Sequence, residues 1–486
     1  MSIYIGGTFA GLETAVSALR ASQAAFETAQ HNISNANTVG YLRQSVLQRA
    51  NYPYTKAGNT HPQLIGQFGT GVTVVEINRN RQGWLDDRAR VQASQLGYAE
   101  EAKGLLTQAE MLFDDPGSVS DTTAFNPGDF SLRKLMSNYW NSWQEVGNMP
   151  ESSAYRQALI QRAGEMADKI RGTYGGLEDI RVQADTLVNA KVGEINMLVT
   201  QIADLNCQIK RALGVGDAPD DLLDQRDQAV TELSKIINVN QEKFPDGTAT
   251  IYLEGIVMVQ EDRVVNTLQA TPDPLNSLHL QVSFSNNPTP VKLRSGELYG
   301  VIRTRDVDIP GFQNSLNQLA GEIINQTNAL HTTSFRADGT PGGNFFNPAG
   351  PNAAQSITVA VTSPDEIAAA SSPTAGPGDG RRAFDQAALQ YANLGALNNQ
   401  TPTDFYAALV GNVGNAVQKT ERDERRFTAA LQHVESQQQE LAGVNLDEEF
   451  LNITKFQRAY EAASRAVSNY DDLLNQVINR MGRVGL

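Results

Sequence analysis

"NISNANTVGY", residues 32–41, sets three asparagines within six positions and follows them with a threonine and a glycine. The segment just before it, residues 10–31, has the spacing of an amphipathic helix. Inside a helix each Asn costs about half a kcal/mol relative to Ala and a Gly about 1 kcal/mol, so the run costs about 2–3 kcal/mol locally. That ends a helix with little packing of its own. Asn side chains also bond neighbouring backbone and accept left-handed conformations, which favours turns. The stretch therefore reads as a helix stop and a redirection that closes one unit and opens the next. An ordinary surface loop has the same composition.

Upstream, Leu12, Leu19, Phe26 and Ile33 recur every seven residues, and Ala15, Ser22 and Ala29 fall three places after the first three. This is a heptad whose second row is small enough to let another helix come close. At the other end of the chain the apolar row is Phe450, Ile453, Phe456, Tyr460, Ala463, Val467, Tyr470, Leu474, Val477 and Met481. From Phe456 onward its steps alternate four and three. Neither face is wide enough to fold an isolated helix stably, so each end needs a partner, and the other end is the obvious one.

Between the ends, helical spacing recurs over residues 83–113, 130–147, 152–212, 221–237 and 309–331. The middle changes character. "LHLQVSF" (278–284) and "ITVAVT" (357–362) alternate with period two, "TATIYLEG" (248–255) comes close to it, and "FPDGT" (244–248) and "RADGT" (336–340) are turn sequences. The expected fold is mainly α with a β-rich insertion: paired N- and C-terminal helices of coiled-coil type, an elongated helical bundle domain and an outer β domain. The expected division is residues 1–50 plus 435–486 for the terminal helices. The bundle takes 51–242 plus 296–335 plus 385–434, and the insertion 243–295 plus 336–384.

The 486 residues carry a net charge of -15, which argues against a nucleic-acid partner. One cysteine, Cys207, allows no intramolecular disulfide. The N terminus lacks the basic, unbroken apolar pattern of a signal peptide, and no apolar run is long enough for membrane insertion. Arg20 is the single cation the N-terminal helix could offer a lipid surface. The five histidines are scattered, with no metal-site spacing, no phosphate-binding loop and no nucleophile elbow. No catalytic, cofactor-binding or metal-ligating residue is therefore expected. The acidic run "DAPDDLLDQRD" (217–227) reads as the capped, solvated start of a helix, with Asp220 or Asp221 as N-cap. Within that helix Arg226 faces Leu222, Leu223, Ala229 and Val230, so it is expected to pair with another segment as a positioning residue.

"NISNANTVGYLRQ" (32–44) resembles the signature near the N terminus of bacterial flagellar rod, hook and hook-associated proteins; its matching residues are Asn35, Asn37, Gly40, Tyr41 and Arg43. The C-terminal "GVNLDEEFLNITKFQRAYEAASRAVSNYDDLLNQVINRMG" (443–482) looks like the terminal helix of the same group. Residues 85–113, 220–239 and 295–323 resemble segments of the hook-associated protein 1 family. Rod and hook subunits, the alternative within the group, have β-rich middles without the helical tracts of 83–212. An alternative of another class is a secreted carbohydrate-binding module or enzyme housed in the insertion. The resemblance implies a structural adaptor between hook and filament, whose terminal helices form a coaxial pair lining an export channel. It implies copies of the chain in a ring, hook protein on one side and hook-associated protein 3 on the other. It also implies export through the flagellar type III apparatus to the cell exterior, with a cytosolic chaperone holding the C-terminal helix beforehand. The assembly seam would be Leu12, Leu19, Phe26 and Ile33 with Phe450, Ile453, Phe456, Tyr460, Val467, Tyr470, Leu474 and Val477.

Overall fold

A computed structural model describes residues 9–38, 40–53, 69–113 and 131–480, with the side chains of 477–480 outside that description. Helix α1 (Ala10–Asn35) leads into a hairpin of β1 (Gln44–Ala50) and β2 (Val72–Arg79). Then come α2 (Gly83–Leu112), α3 (Leu132–Asn148), α4 (Ser153–Val215) and α5 (Asp220–Ile236). Two small antiparallel sheets follow. The first has order β3-β4-β5-β6 (Val239–Lys243, Ala249–Leu253, Ile256–Gln260, Arg263–Val264) and the second β7-β8-β9 (Leu268–Pro272, Leu280–Phe284, Asn287–Pro290). Helix α6 (Glu297–Arg303) passes through a π-helical turn, Thr304–Asp308, into α7 (Ile309–Thr332). The short helices α8 (Ala353–Ser356) and α9 (Arg381–Ala388) precede α10 (Pro402–Ala442) and α11 (Leu446–Arg480).

Local chemistry fixes the helix ends. Ser131 caps α3 by accepting from Lys134 N. Thr401 caps α10, with Pro402 at its first position. The 63-residue α4 stops at Gly216, whose φ of +89° is the left-handed conformation of a helix C-cap. At 1.5 Å per residue, α4 is about 95 Å long and forms the spine of the molecule. Its buried row runs from Leu159 through Ile170, Leu177, Ile195 and Ile202 to Ile209. Residues of α2, α3, α5, α6, α7, α10 and both small sheets join that row in one continuous core. Trp140 and Trp143 lie at its aromatic centre with Tyr139, Phe345 and Phe346. Helix α10 runs unbroken past residue 435 to Ala442, antiparallel to α2, with Leu85 and Ala89 against Val434 and Lys103 Nζ 2.8 Å from Glu424 Oε2. The chain therefore turns at 443–445, not at 435.

The long helix holds each sheet with one asparagine. Asn196 Nδ2 donates to Leu268 O at 2.8 Å, and its Oδ1 accepts from Leu268 N at 2.9 Å. Asn206 does the same for Ala249, at 2.7 and 3.1 Å.

The second half of the expected β insertion, residues 336–384, is not a sheet. Its extended contacts are isolated bridges, among them Phe346↔Val359 and Phe335↔Ala370. The alternating apolar residues of "ITVAVT" seat into the helical core instead of a ladder: Ile357 and Val361 are buried in the cluster that holds Phe345 and Phe346. Asn328 and His331, on α7, pin this coil. Asn328 Oδ1 accepts from the amides of Phe345 and Phe346 at 2.8 and 2.9 Å. His331 Nδ1 donates to Gly343 O at 2.6 Å, while its Nε2 accepts from Ala368 N at 2.9 Å. One nitrogen donating and one accepting is the neutral ring, and burial lowers the imidazole pKa to about 4, which keeps it neutral.

Candidate assembly site

Helix α1 does not melt where the asparagines begin. It continues to Asn35, and Asn32 lies buried within its last turns. Asn32 Nδ2 donates to Gln44 O at 2.9 Å, and its Oδ1 accepts from Gln44 N at 2.9 Å and from the Tyr41 hydroxyl at 2.8 Å. The side chain thus offers Gln44 the donor–acceptor pair that a neighbouring strand would, and clips the start of β1 to the helix. Asn35 donates to His31 O at 3.1 Å and accepts from the Thr38 hydroxyl at 3.3 Å, while Asn37 is exposed. Gly40 has φ +81°, the left-handed conformation that favours glycine, and a Cβ there would push aside only the end of the Gln228 side chain.

The acidic run is not a solvated face. Pro219 is the N-cap of α5, and Asp224 and Asp227 are buried beneath the two arginines that lead from β2 into α2. Arg79 Nη1 lies 2.6 Å from Asp224 Oδ1 and its Nε 3.4 Å from Asp220, and Arg81 pairs with Asp227 and Asp86. Asp224 also accepts from Leu42 N at 3.3 Å, and Asp221 from Gln44 Nε2 at 3.1 Å. Arg79 and Arg81 reach these carboxylates from a separate segment, so no spacing within α5 announces the pairing. Burial, joined by the negative field of Asp221, Asp224, Asp220 and Glu449, pushes the Tyr41 pKa well above its usual value. Arg226 lies beside this joint, its Nη2 3.7 Å from Asp227 Oδ1, but its hydrogen bonds go elsewhere. Its Nη1 donates to Gly247 O and, at 3.3 Å, to Asn206 Oδ1, tying α5 to α4 and the β3–β4 turn. Burial, reinforced by Arg79, Arg81 and Arg90, lowers its pKa to about 10.

On the C-terminal side, Arg43 Nε lies 2.7 Å from Glu449 Oε1 and Nη1 3.1 Å from Glu448 Oε2. An open cleft of about 1050 Å³ separates residues 36–38 and 40–43, α5 and the α10–α11 turn, and it is lined by polar and apolar side chains alike. Hydrogen bonds and ion pairs hold the joint, not a packed apolar core.

Beyond the joint α1 lies between two partners. Gly71 and Val72 of the hairpin pack on Ser17, and Gln48 Nε2 donates to Ala21 O at 3.3 Å. On another side α1 packs against α11, so closely that a Cβ on Gly11 would meet the Tyr470 hydroxyl. The face buried in α1 is the small one: Ala15, Ala21, Ser22, Ala25, Thr28, Ala29 and Asn32. Leu12, Leu19, Phe26 and Ile33, expected as the principal seam, are half-buried. Small side chains bring the backbones together and leave the large ones at the edge of the contact. On α11, Ala463 is buried and Ile453, Phe456, Val467, Tyr470 and Leu474 are half-buried, whereas Phe450 is 57% and Tyr460 40% exposed. The side chain of Val477 lies outside the described residues. An apolar row running the length of a helix is thus only partly covered within one subunit.

Sequence reasoning missed Asn32, Gln44, Arg79, Arg81, Asp224, Asp227 and Glu449. Asn32 had a signal: it is a polar residue three places after Ala29, on the small face. The arginines of "INRNR" (77–81) and the acids of 220–227 are complementary runs whose meeting no local pattern announces. Among the described residues no group of three or more His, Cys, Asp or Glu could hold a metal, and no helix is long and apolar enough to cross a membrane.

Comparison with known proteins places this arrangement. A family model for the flagellar hook-associated protein FlgK helical domain matches residues 122–346. Models for the C-terminal part of flagellar basal body rod FlgEFG proteins and for the flagella basal body rod protein match 435–481 and 12–41. Flagellar hook-associated protein 1 of Bacillus subtilis (strain 168) is 30% identical over 513 aligned residues that cover 98% of this chain and 99% of that protein. This chain belongs to the flagellar hook-associated protein 1 family. A second member, from Salmonella typhimurium, is 27% identical and covers 96% of this chain and 98% of its own. The fold recurs in the flagellar hook junction protein FlgK from Burkholderia pseudomallei, at 15% identity and a TM-score of 0.63, covering 73% of this chain and 99% of that one. The rod-protein matches at 12–41 and 435–481 cover most of α1 with the link after it, and the end of α10 with α11.

Proposed function

We propose that the chain is a structural adaptor that forms the junction between hook and filament and catalyses nothing. The observation that carries this is the α11 row: a helix that covers its small side on α1 and leaves Phe450, Phe456, Tyr460 and Val467 partly open is built to be completed by neighbours. Copies of the chain would close on one another in a ring through α1 and α11, lining a channel. Hook protein would lie on one side and hook-associated protein 3 on the other. The helical body and the sheets β3–β9 would stand outward. Such a subunit passes the flagellar type III apparatus unfolded and works outside the cell. Until then α11 leaves an apolar stripe partly exposed along its length, the natural hold for a cytosolic export chaperone in a helix-in-groove complex.

Immunogold labelling of isolated hook–basal bodies tests the reading. Label is expected in a thin band at the distal end of the hook. Label along the hook or on the rod would make the chain a hook or rod subunit instead.

A further inference from the structure

Three separate stretches of chain meet side by side where the α1–α11 rod joins the body: the α1–β1 link, the β2–α2 link and the α10–α11 turn. Arg43, leaving α1, donates its backbone N–H to Ala442 O at 2.9 Å and accepts at its carbonyl from Asn80 N at 3.1 Å. Asn80, entering α2, also donates its side chain to Leu441 O. Arg43 is thus the middle of three adjoining stretches. Its guanidinium reaches into α11, where Glu449 is 2% exposed and Glu448 lies on the rim. The turn into α11 is short: Gly443 closes on Gln439 O, and Asn445 Oδ1 accepts from Asp447 N at 3.0 Å, which fixes where Glu448 and Glu449 begin. Among the described residues neither buried apolar cluster joins α1 or α11 to the body, although the cleft beside the joint is lined by apolar as well as polar side chains.

We propose that Arg43 is a positioning residue that latches the α1–α11 rod to the body, its backbone bonding both links that cross between them and its guanidinium closing on Glu449 and Glu448. A charge-assisted pair with one buried carboxylate is geometrically strict, so it holds one rod direction where a hydrated hinge would allow several. The value of a fixed direction in the cell rests on the junction reading; the latch itself is a property of a single subunit.

The test uses the full chain with Cys207→Ser and donor and acceptor dyes on Gln30→Cys in α1 and Gln201→Cys in α4. Single-molecule energy transfer is expected to be narrow in this parent and to broaden with Arg43→Ala and with the isosteric Glu449→Gln. The double variant should broaden it no further than either single one. Amides of residues 446–452 should exchange about tenfold to a hundredfold faster in each variant, as loss of a charge-assisted hydrogen bond implies. Unchanged distributions in both single variants, or effects that add in the double, overturn the latch whatever the cells do. Broadened distributions in cells that swim normally leave the latch standing and overturn the junction's need for it.

Discussion

Phe26→Glu is expected to abolish swimming while leaving the melting temperature of the body unchanged. The main hydrophobic cluster contains no residue of α1 or α11, so the body does not depend on the terminal rod for its packing. In a lone subunit the new carboxylate sits at the half-covered edge of α1 and keeps much of its water. In the assembled junction the same position faces neighbouring helices, and an unpaired carboxylate buried there costs several kcal/mol, about 3–5. The protein should be made and exported, yet flagellin should appear in the culture supernatant because it has no platform on which to polymerise. Swimming assays, supernatant flagellin and thermal melting of the purified chain check the three parts separately. Cells that swim normally on full-length filaments would remove Phe26 from the seam.

Asn32→Ala is expected to loosen the joint far more than Asn37→Ala, although both remove one asparagine from the same run. Asn32 satisfies Gln44 N, Gln44 O and the Tyr41 hydroxyl, and its loss leaves them in a buried setting at about 2–4 kcal/mol. Asn37 is exposed, and its replacement should fall within about 0.5 kcal/mol. Hydrogen exchange reads the difference locally: the Gln44 amide should exchange roughly 30- to 1000-fold faster in Asn32→Ala, following the same free energy, and at the parent rate in Asn37→Ala. Equal rates in the two variants would show that the run acts by helix weakening alone.

The helices with one strong apolar row could be read from the sequence because period and caps are local. The expected 83–113, 130–147, 152–212, 221–237 and 309–331 lie within a few residues of α2, α3, α4, α5 and α7. The alternation of 278–284 likewise marks β8. The same alternation failed at 357–362, since period two says that alternate side chains are buried and not what buries them. There the burying surface is the helical core that also takes Phe345 and Phe346, not a second sheet. The joint was legible in location but not in chemistry. Gly40, Tyr41 and Arg43 sit in it, yet the residues they meet there, Gln228, Asn32 and Glu449, come from three other elements. Asn32, Asn196 and Asn206 show why: an asparagine on a helix face reads as a weak helix former until the segment that it clips is brought alongside.

The seam itself is tested most directly in intact flagella. A photoreactive phenylalanine analogue at Tyr460, which is 40% exposed in one subunit, would be placed against whatever completes the α11 row. Irradiation of flagellated cells should yield an adduct of this chain with a second copy of itself, and the adduct should vanish when the same chain is irradiated as a dilute monomer. A chain that remains uncrosslinked in assembled flagella, while the same analogue at a body position behaves alike, would contradict closure of the row by neighbouring subunits.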